Sequence, residues 1–198
     1  MNENYVHPDM PDGVEEGILK GMYKFRASTK KRAKLKAHLY GSGAIMNSAL
    51  AAADILEQDY KVGADVWSIT SYKALHRDCL DAERWNRMHP GAKPRLSYVE
   101  QCLADERGVH VMASDYVKAL PESIARWFPN PPVALGTDGF GRSESREALR
   151  DHFEVDKRFI VLGALSALAR EGQIECDVIK QAMQDLNIDP DKANPTYL

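Results

Sequence analysis

The first third of the chain alternates between two spacings of apolar residues. Residues 34–40 alternate polar and apolar and run into Gly41-Ser42-Gly43, which predicts a strand followed by a tight turn. A helix capped by Ser42 is expected next, because apolar residues then recur at helical spacing: Ile45, Ala49, Ala52, Ala53 and Leu56. Residues 65–70 form the next predicted strand. Strand, helix and strand make a βαβ unit, whose two strands would be parallel.

The remainder of the chain continues this alternation of strands and helices. Residues 109–113 predict a third strand, residues 116–128 its helix, and residues 131–136 a short strand that its prolines push to a sheet edge. Other segments predict helices: 14–23, much of 71–103 with breaks at His89-Pro90-Gly91 and Pro94, 146–152, 159–170 and 176–186. The predicted fold is α/β, a three-layer sandwich with a mostly parallel sheet.

Composition narrows the class of protein. The 198 residues are 44% hydrophobic and 28% charged, which is typical of one globular domain. Residues 1–13, rich in Pro, Gly, Asn and Asp, read as an arm or linker from a missing upstream domain, and residues 14–198 as the domain. The longest apolar stretch, 159–169, is too short to cross a membrane, and the first residues lack a secretory signal. We therefore expect a cytoplasmic protein that does not enter membranes.

Charge and cysteine usage give weaker signals. The chain has 26 basic and 29 acidic residues, and seven of the basic ones fall between Lys24 and Lys36. This run could contact phosphates, anionic lipid or an acidic partner, but a solvated loop is the simpler interpretation, and no nucleic-acid motif accompanies it. The three cysteines, Cys79, Cys102 and Cys176, are far apart and are expected to be free buried thiols.

Three candidate sites are weak in the sequence. Gly41-Ser42-Gly43 stands where a phosphate-binding loop would stand, but Met46 occupies the place of the third small residue. His76 and Cys79 could share a helix face as a base and a thiol, although a surface histidine and a structural cysteine are favoured. His152 is flanked by carboxylates, and its simplest role is to satisfy carbonyls at a helix end. The sequence thus predicts no catalytic, cofactor-binding or metal-binding residue.

The densest polar group follows the fourth predicted strand. Asp138, Phe140, Arg142 and Arg146 lie in or beside a glycine-rich turn that permits unusual backbone angles. Arginine can form bidentate contacts with carboxylates or phosphates. We interpret this segment as an inter-domain or partner contact, with a small-anion site as the alternative.

Several runs resemble one protein family over essentially the whole chain. They are residues 10–17, 65–71, 83–90, 135–143, 152–156 and 188–192. They are similar to the C-terminal domain of the homodimeric bacterial pyruvate dehydrogenase, the thiamine-dependent decarboxylating component, in the transketolase-like superfamily. The resemblance implies a mixed sheet of about five strands with one antiparallel edge strand, which we place near Val133.

The resemblance also implies what this chain would not do alone. In the family, thiamine diphosphate and Mg²⁺ are held by preceding domains through a GDG-type motif and a downstream Asn. Thr137-Asp138-Gly139 only imitates that motif, since no Asn follows between Gly163 and Ala169. The implied partners are the upstream domains, a homodimer mate and, through the parent enzyme, the lipoyl-bearing acetyltransferase component.

Two other functions stay open at this point. The chain could be a stand-alone interaction module that docks a partner on residues 138–146, or, on weaker grounds, a regulatory domain that binds an anion or nucleotide at residues 41–43.

Overall fold

In the computed structural model, which describes residues 6–198, five strands form a single sheet. The strands are β1 (Met22–Arg26), β2 (Lys36–Gly41), β3 (Gly63–Ile69), β4 (Val109–Ala113) and β5 (Val133–Leu135). Their order across the sheet is β1-β3-β2-β4-β5. All neighbouring pairs are parallel except β1 and β3, which are antiparallel. The predicted α/β class and mixed five-stranded sheet are confirmed.

Helices cover both faces of this sheet. Those of the described residues are α1 (Glu15–Lys20), α2 (Met46–Asp59), α3 (Tyr72–Met88), α4 (Tyr98–Leu103), α5 (Ala119–Glu122), α6 (Arg146–His152), α7 (Lys157–Arg170) and α8 (Cys176–Asp185). Helices α2 and α7 pack together on one face, with α8 against α7, whereas α3 and α4 contribute to the core on the other. No helix in residues 6–198 has the length and apolar character that crossing a membrane requires.

The two faces of the sheet are built from alternating residues of the same strands. Leu39, Val66 and Val111 lie in the aliphatic core with α2 and α7, which we call the aliphatic face. Tyr40, Trp67 and Met112 lie in the core beneath α3 and α4. His38 and His110, also buried, share this second side, which we call the mixed face. The alternation follows from the two-residue repeat of a strand.

The antiparallel strand lies at the opposite edge from the one expected. β5 runs parallel to β4, so the expectation of an antiparallel strand near Val133 is wrong. Between β4 and β5 the chain crosses the mixed face through α5 and a 3-10 turn at Ala125–Trp127, and this return brings β5 back in the same direction. β1 is instead joined to β2 by the loop 27–35 with no helix between them, so the chain reverses and β1 lies antiparallel to β3, the parallel neighbour of β2.

The beginning of the basic run is therefore a strand and not a solvated loop. Lys24 and Arg26 belong to β1, where Lys24 contacts Asp65 and Arg26 contacts Asp54 at 2.8 Å. The helix predicted over 14–23 ends at Lys20. Gly21 follows with φ +112°, and a β-carbon there would lie 2.7 Å from the Ser71 carbonyl oxygen, so the chain turns into β1 at the glycine.

Three smaller predictions also need correction. The helix expected over 116–128 is only α5 and the turn at Ala125–Trp127. Ser42 precedes a 3-10 turn, Gly43–Ile45, and its side chain accepts no capping hydrogen bond. All three cysteines are free, but only Cys79 is fully buried and Cys176 is exposed. The predicted helices over 71–103, 146–152, 159–170 and 176–186 are confirmed within a few residues. The part of the predicted arm at residues 1–5 lies outside the described residues.

Candidate contact surface at the carboxyl ends of the strands

The loop after β5 is fixed at its base to the segment that follows β4. The Thr137 backbone N–H donates to the Tyr116 carbonyl at 2.8 Å, and its hydroxyl donates to the Asp115 carbonyl at 2.6 Å. A β-carbon at Gly136 would lie 2.5 Å from the Tyr116 carbonyl oxygen, so only glycine allows this approach. The two carboxyl-terminal loops are thus joined, which positions residues 138–145 at the end of the sheet.

Asp138 is used within this loop. One of its carboxylate oxygens accepts the Lys118 backbone N–H at 2.9 Å, and the other pairs with the Lys118 ammonium at 3.1 Å. Burial alone would raise the pKa of Asp138, but the Lys118 N–H and ammonium together lower it below its usual value. These two contacts with Lys118 hold Asp138 at the base of the loop.

Phe140 is the most exposed aromatic residue of this region. It is 86% exposed between Gly139 and Gly141, and a β-carbon at Gly139 would lie 3.3 Å from the Thr196 carbonyl, which places the last residues of the chain beside the loop. Five large apolar side chains of these adjoining segments are more than half exposed: Tyr116, Val117, Phe140, Tyr197 and Leu198. We call them the contact surface. A cluster of this kind is typical of a surface that is covered in an assembly.

The two predicted arginines lie beside this surface. Arg142 is exposed and lines a groove together with Glu144, His152 and Leu198. Arg146 is half-buried at the first residue of α6, whose N-terminus Ser145 caps by accepting the Ala148 N–H at 3.3 Å. The structure therefore brings Arg142 next to the apolar cluster, while Asp138 faces the adjoining cleft with Lys118.

His152 does not satisfy the carbonyls at the end of α6. That role belongs to Lys192, whose ammonium donates to the carbonyls of Asp151 and His152 and lies 3.7 Å from Glu154. The Nε2 of His152 has no hydrogen-bond partner among residues 6–198, and its ring meets Phe153 edge to face at 4.8 Å. The prediction for His152 is wrong because the ammonium of Lys192, forty residues further along the chain, donates to these carbonyls instead.

In the Gly41-Ser42-Gly43 turn, Gly41 is close-packed whereas Gly43 is exposed. A β-carbon at Gly41 would lie 2.8 Å from the Cα of Met46, and the Ser42 N–H donates to the Ala113 carbonyl at 3.3 Å. His7, Pro8 and Met10 line the same cleft as the turn, and Asn47 donates to the Val6 carbonyl at 3.2 Å. His7, Pro8 and Met10 therefore lie in the cleft through which a phosphate would approach this turn.

His76 and Cys79 share α3 but lie in different surroundings. Cys79 is fully buried, and this burial raises the pKa of its thiol to about 11. The His76 ring meets Trp127 at 6.0 Å. A thiol with a raised pKa is a poor nucleophile, so the position favours a structural cysteine.

A polar cluster that the sequence did not predict lies on the mixed face near the amino ends of the parallel strands. The Lys24 ammonium lies 3.0 Å from Asp65 and 2.5 Å from Glu106, and 5.0 Å above the Trp67 ring. His38 lies beside them, with Nε2 3.0 Å from the Arg107 carbonyl and Nδ1 3.6 Å from Asp65. We call Lys24, His38, Asp65 and Glu106 the ionic cluster. His38, Asp65 and His110 occupy matching positions on three neighbouring strands, and one polar residue within each predicted strand was the signal that the sequence offered.

The electrostatics of this cluster favour an internal ion pair. Burial would raise the pKa of Asp65, but the Ser28 N–H and the Lys24 ammonium lower it below its usual value. Burial lowers the pKa of His38, and burial together with His38 lowers the pKa of His110 to about 3. Ligand atoms of His38, Asp65 and Glu106 lie within 4.8 Å of one another, a spacing that could hold a metal. Lys24 already supplies the positive charge between both carboxylates.

Comparison with known proteins identifies the family. The transketolase-like TK C-terminal domain family matches residues 21–156. The pyruvate dehydrogenase E1 component of Pseudomonas aeruginosa is 52% identical over 196 residues, which are 98% of this chain and 22% of that protein. The Escherichia coli K12 component is 47% identical, with the same coverage. The chain thus spans about a fifth of the length of these curated relatives.

Solved structures agree on the fold. A transketolase from Pichia stipitis in complex with sedoheptulose 7-phosphate superposes with a TM-score of 0.55 at 15% identity, over 83% of this chain and 20% of that one. A split-gene transketolase, titled an inactive beta4 tetramer, gives 0.52 at 18% identity, over 75% of this chain and 42% of that one. With the family match covering more than half of its residues, this chain belongs to the transketolase-like C-terminal domain family.

Proposed function

We propose that this chain is the non-catalytic C-terminal domain of a pyruvate dehydrogenase decarboxylating component, where it packs against the other domains of that enzyme and supports its dimer. The observation that carries the proposal is the contact surface. Phe140 and Tyr197 are each more than four-fifths exposed at the end of the sheet, on loops held by specific backbone contacts. Rigid loops that present apolar side chains fit a surface that is buried in the complete enzyme.

The activity then belongs to the whole protein. It would decarboxylate pyruvate with thiamine diphosphate and Mg²⁺ held by other domains, in the cytoplasm, and pass the acetyl group to the lipoyl arm of the acetyltransferase component. Support comes from the relatives, of which the chain spans about a fifth. No described residue is assigned to the chemistry.

A chimeric enzyme tests the packing role. The matching segment of the Pseudomonas aeruginosa component is replaced by this chain, and pyruvate decarboxylation and particle mass are measured. We expect an active dimer, and we expect Phe140→Ala with Tyr197→Ala to lower both activity and dimer content, because apolar area leaves the interface. Leu19→Ala, which also shortens an exposed apolar side chain, is the control and should change neither. Equal activity and dimer content in the two variants would contradict a packing role for this surface.

The isolated chain tests the non-catalytic part of the proposal. Titration calorimetry with thiamine diphosphate and Mg²⁺ should show no binding, and pyruvate with both cofactors should release no carbon dioxide. Heat of binding, or turnover above the rate without protein, would contradict the assignment.

A stand-alone interaction module is the second candidate, favoured by Arg142, whose guanidinium is exposed beside the apolar cluster. It predicts that Arg142→Ala and Arg146→Ala abolish capture of a partner in pull-downs from native lysate. Unchanged pull-downs would eliminate the interaction module. They would not bear on the packing role, which the chimera tests separately.

A further inference from the structure

Six basic side chains line the end of the molecule opposite the contact surface. They are Lys30, Lys31, Arg32, Lys34, Lys36 and Arg107, and all are exposed. The first four lie in the loop that joins β1 to β2, Lys36 begins β2, and Arg107 shortly precedes β4. We call them the basic strip. The proposed packing role does not use this strip, which lies at the amino ends of the parallel strands.

The basic strip differs from the other cations of the same run. Lys24 and Arg26 are neutralised by Asp65, Glu106 and Asp54. In contrast, no member of the strip forms an ion pair with any carboxylate in residues 6–198. Because the whole chain holds more acidic than basic side chains, six such cations form a local excess.

The loop that carries most of the strip is held in place. The Ser28 N–H donates to Asp65 at 2.7 Å, and its hydroxyl donates to Glu57 at 2.6 Å. Thr29 donates to Glu57 through its N–H at 3.1 Å and through its hydroxyl. Glu57 is only 7% exposed, and the Gly63 N–H donates to the Leu35 carbonyl at 2.9 Å at the far end of the loop. The cations are therefore presented on a fixed backbone.

Two adjoining clefts pass between these cations. Lys34, Lys36 and Arg107 line one cleft, together with Gly108 and Asp105. Lys30, Lys31 and Lys36 line the other. Lys36 belongs to both, so the positive surface is extended rather than gathered around one point. An extended polyanion fits this layout better than a single compact anion does.

We propose that the basic strip docks an acidic polypeptide segment of a partner protein. The strip holds no aromatic residue on which bases could stack, which disfavours a single-stranded nucleic acid. No exposed large apolar side chain lies in residues 27–36, which disfavours insertion into a membrane surface. Repeated carboxylates on a flexible chain can meet successive lysines, and a fixed loop lowers the entropy lost when they do.

Fluorescence anisotropy with labelled poly-L-glutamate tests the proposal on the full chain. We expect binding that weakens with salt. Lys30→Ser with Lys34→Ser should weaken it roughly fivefold to tenfold. Lys73→Ser with Lys93→Ser is the matched control, since it removes the same charge from exposed lysines elsewhere, and should leave the affinity unchanged. Equal losses in the two variants would show binding to net charge alone and would overturn the proposal.

Two competing polyanions decide the class of partner. A single-stranded oligonucleotide of equal charge, or phosphatidylserine vesicles, should bind more weakly than poly-L-glutamate, and tighter binding of either would overturn the proposal.

The fixed loop has its own test: Ser28→Ala with Thr29→Val leaves every charge in place and removes two hydroxyl donors to Glu57. We expect a loss of roughly threefold in affinity, and an unchanged value would refute the role of the fixed loop.

Discussion

The two faces of the sheet are made by alternate residues of the same three central strands, yet they are stabilised differently. On the aliphatic face, Leu39, Val66 and Val111 pack against α2 and α7 in an apolar core. On the mixed face, the neighbouring Tyr40 and Trp67 pack among aromatic and aliphatic side chains beside the ionic cluster. The first face is stabilised mainly by burial of apolar area, and the second also depends on the satisfaction of polar groups.

This difference between the faces shows that the partly buried charges of the ionic cluster lie on the mixed face, beside aromatic side chains. The Tyr40 hydroxyl is hydrogen-bonded to Nδ1 of His110 at 2.9 Å, and the Trp67 indole N–H donates to Nδ1 of His38 at 3.4 Å. The aromatic side chains and the buried histidines are therefore linked. The carboxylates of the ionic cluster come from β3 and from the segment before β4, and its ammonium comes from the antiparallel β1. The mixed face thus ties the edge strand β1 to the centre of the sheet through Lys24. On the other side of the same strand, Phe25 packs against the aliphatic core and Arg26 pairs with Asp54 of α2.

The largest expected effect is on the aliphatic face. Leu39→Ala should lower the free energy of unfolding by about 2–5 kcal/mol, because it removes a fully buried side chain and leaves a cavity. Urea unfolding followed by circular dichroism measures the loss. Leu19→Ala, at an 83% exposed position, is the control and should change stability by less than about 0.5 kcal/mol. A loss below about 1 kcal/mol for Leu39→Ala would mean that the strands are not held by that core.

The ionic cluster should contribute less per residue. Asp65→Asn keeps an acceptor for the Ser28 N–H but removes the charge beside Lys24, and we expect a loss of about 1–3 kcal/mol. Asp54→Asn, which breaks the more exposed pair with Arg26, is the matched control and should cost clearly less. A double-mutant cycle with Lys24→Met isolates the pair. Equal costs for the two aspartates would show that burial does not strengthen the cluster.

Acid should destabilise the protein through the mixed face. Burial, then the neighbouring His38, lowers the pKa of His110 to about 3, whereas an unfolded histidine has a pKa of about 6.5. The unfolded state therefore binds more protons between these values, and stability is complete above pH 6.5 and decreases as the pH falls toward 3. The slope from one histidine is at most about 1.4 kcal/mol per pH unit. Asp65 and Glu57, whose pKa values are lowered, add their own loss only below about pH 4.5.

A variant separates the histidine from the carboxylates. His110→Phe with Tyr40→Phe removes both partners of the buried hydrogen bond and should reduce the pH dependence of stability between pH 6.5 and 4.5. The remaining slope belongs to His38, whose pKa burial also lowers. His89→Gln, at an exposed ring, is the control and should keep the slope. A wild-type protein whose urea midpoint does not change in this window would contradict the assignment.

The same contrast explains how far the sequence could predict the fold. The alternation in residues 34–40 located β2, and the mainly apolar run 109–113 located β4. Neither kind of pattern located β1, whose Lys24 and Arg26 look like surface charges. The groups that neutralise Lys24 lie 41 and 82 residues away, so only the folded chain shows that a lysine is tolerated there.

The candidate contact surface was predictable to a similar degree. The glycines around Phe140 indicated a turn, and in the structure Phe140 is exposed there and Arg142 lines the neighbouring groove. The partner contact predicted for these residues stays a prediction. Asp138 accepts a hydrogen bond from Lys118, and Lys192 donates to a carbonyl at the end of α6. Both contacts join segments that are distant in the sequence, so no local sequence pattern predicts them. The exposure of Tyr197 next to Phe140 likewise follows only from the path of the last residues.

Cysteine reactivity, which is read without any change in stability of the wild-type protein, tests whether the two faces unfold together. Cys79, beneath the mixed face, is fully buried with a pKa of about 11, while Cys176 is exposed at the start of α8. With a thiol-specific reagent at pH 7.5, Cys176 should be labelled orders of magnitude faster, as peptide mass spectrometry would show. Leu39→Ala acts on the aliphatic face. If both faces belong to one cooperative unit, this variant should accelerate labelling of Cys79 by the same factor by which it raises the equilibrium constant for global unfolding. The labelling rate of Cys176 should not change. A Cys79 rate that Leu39→Ala does not alter would show that the mixed face opens by itself, and the difference between the faces would then be one of dynamics as well as chemistry.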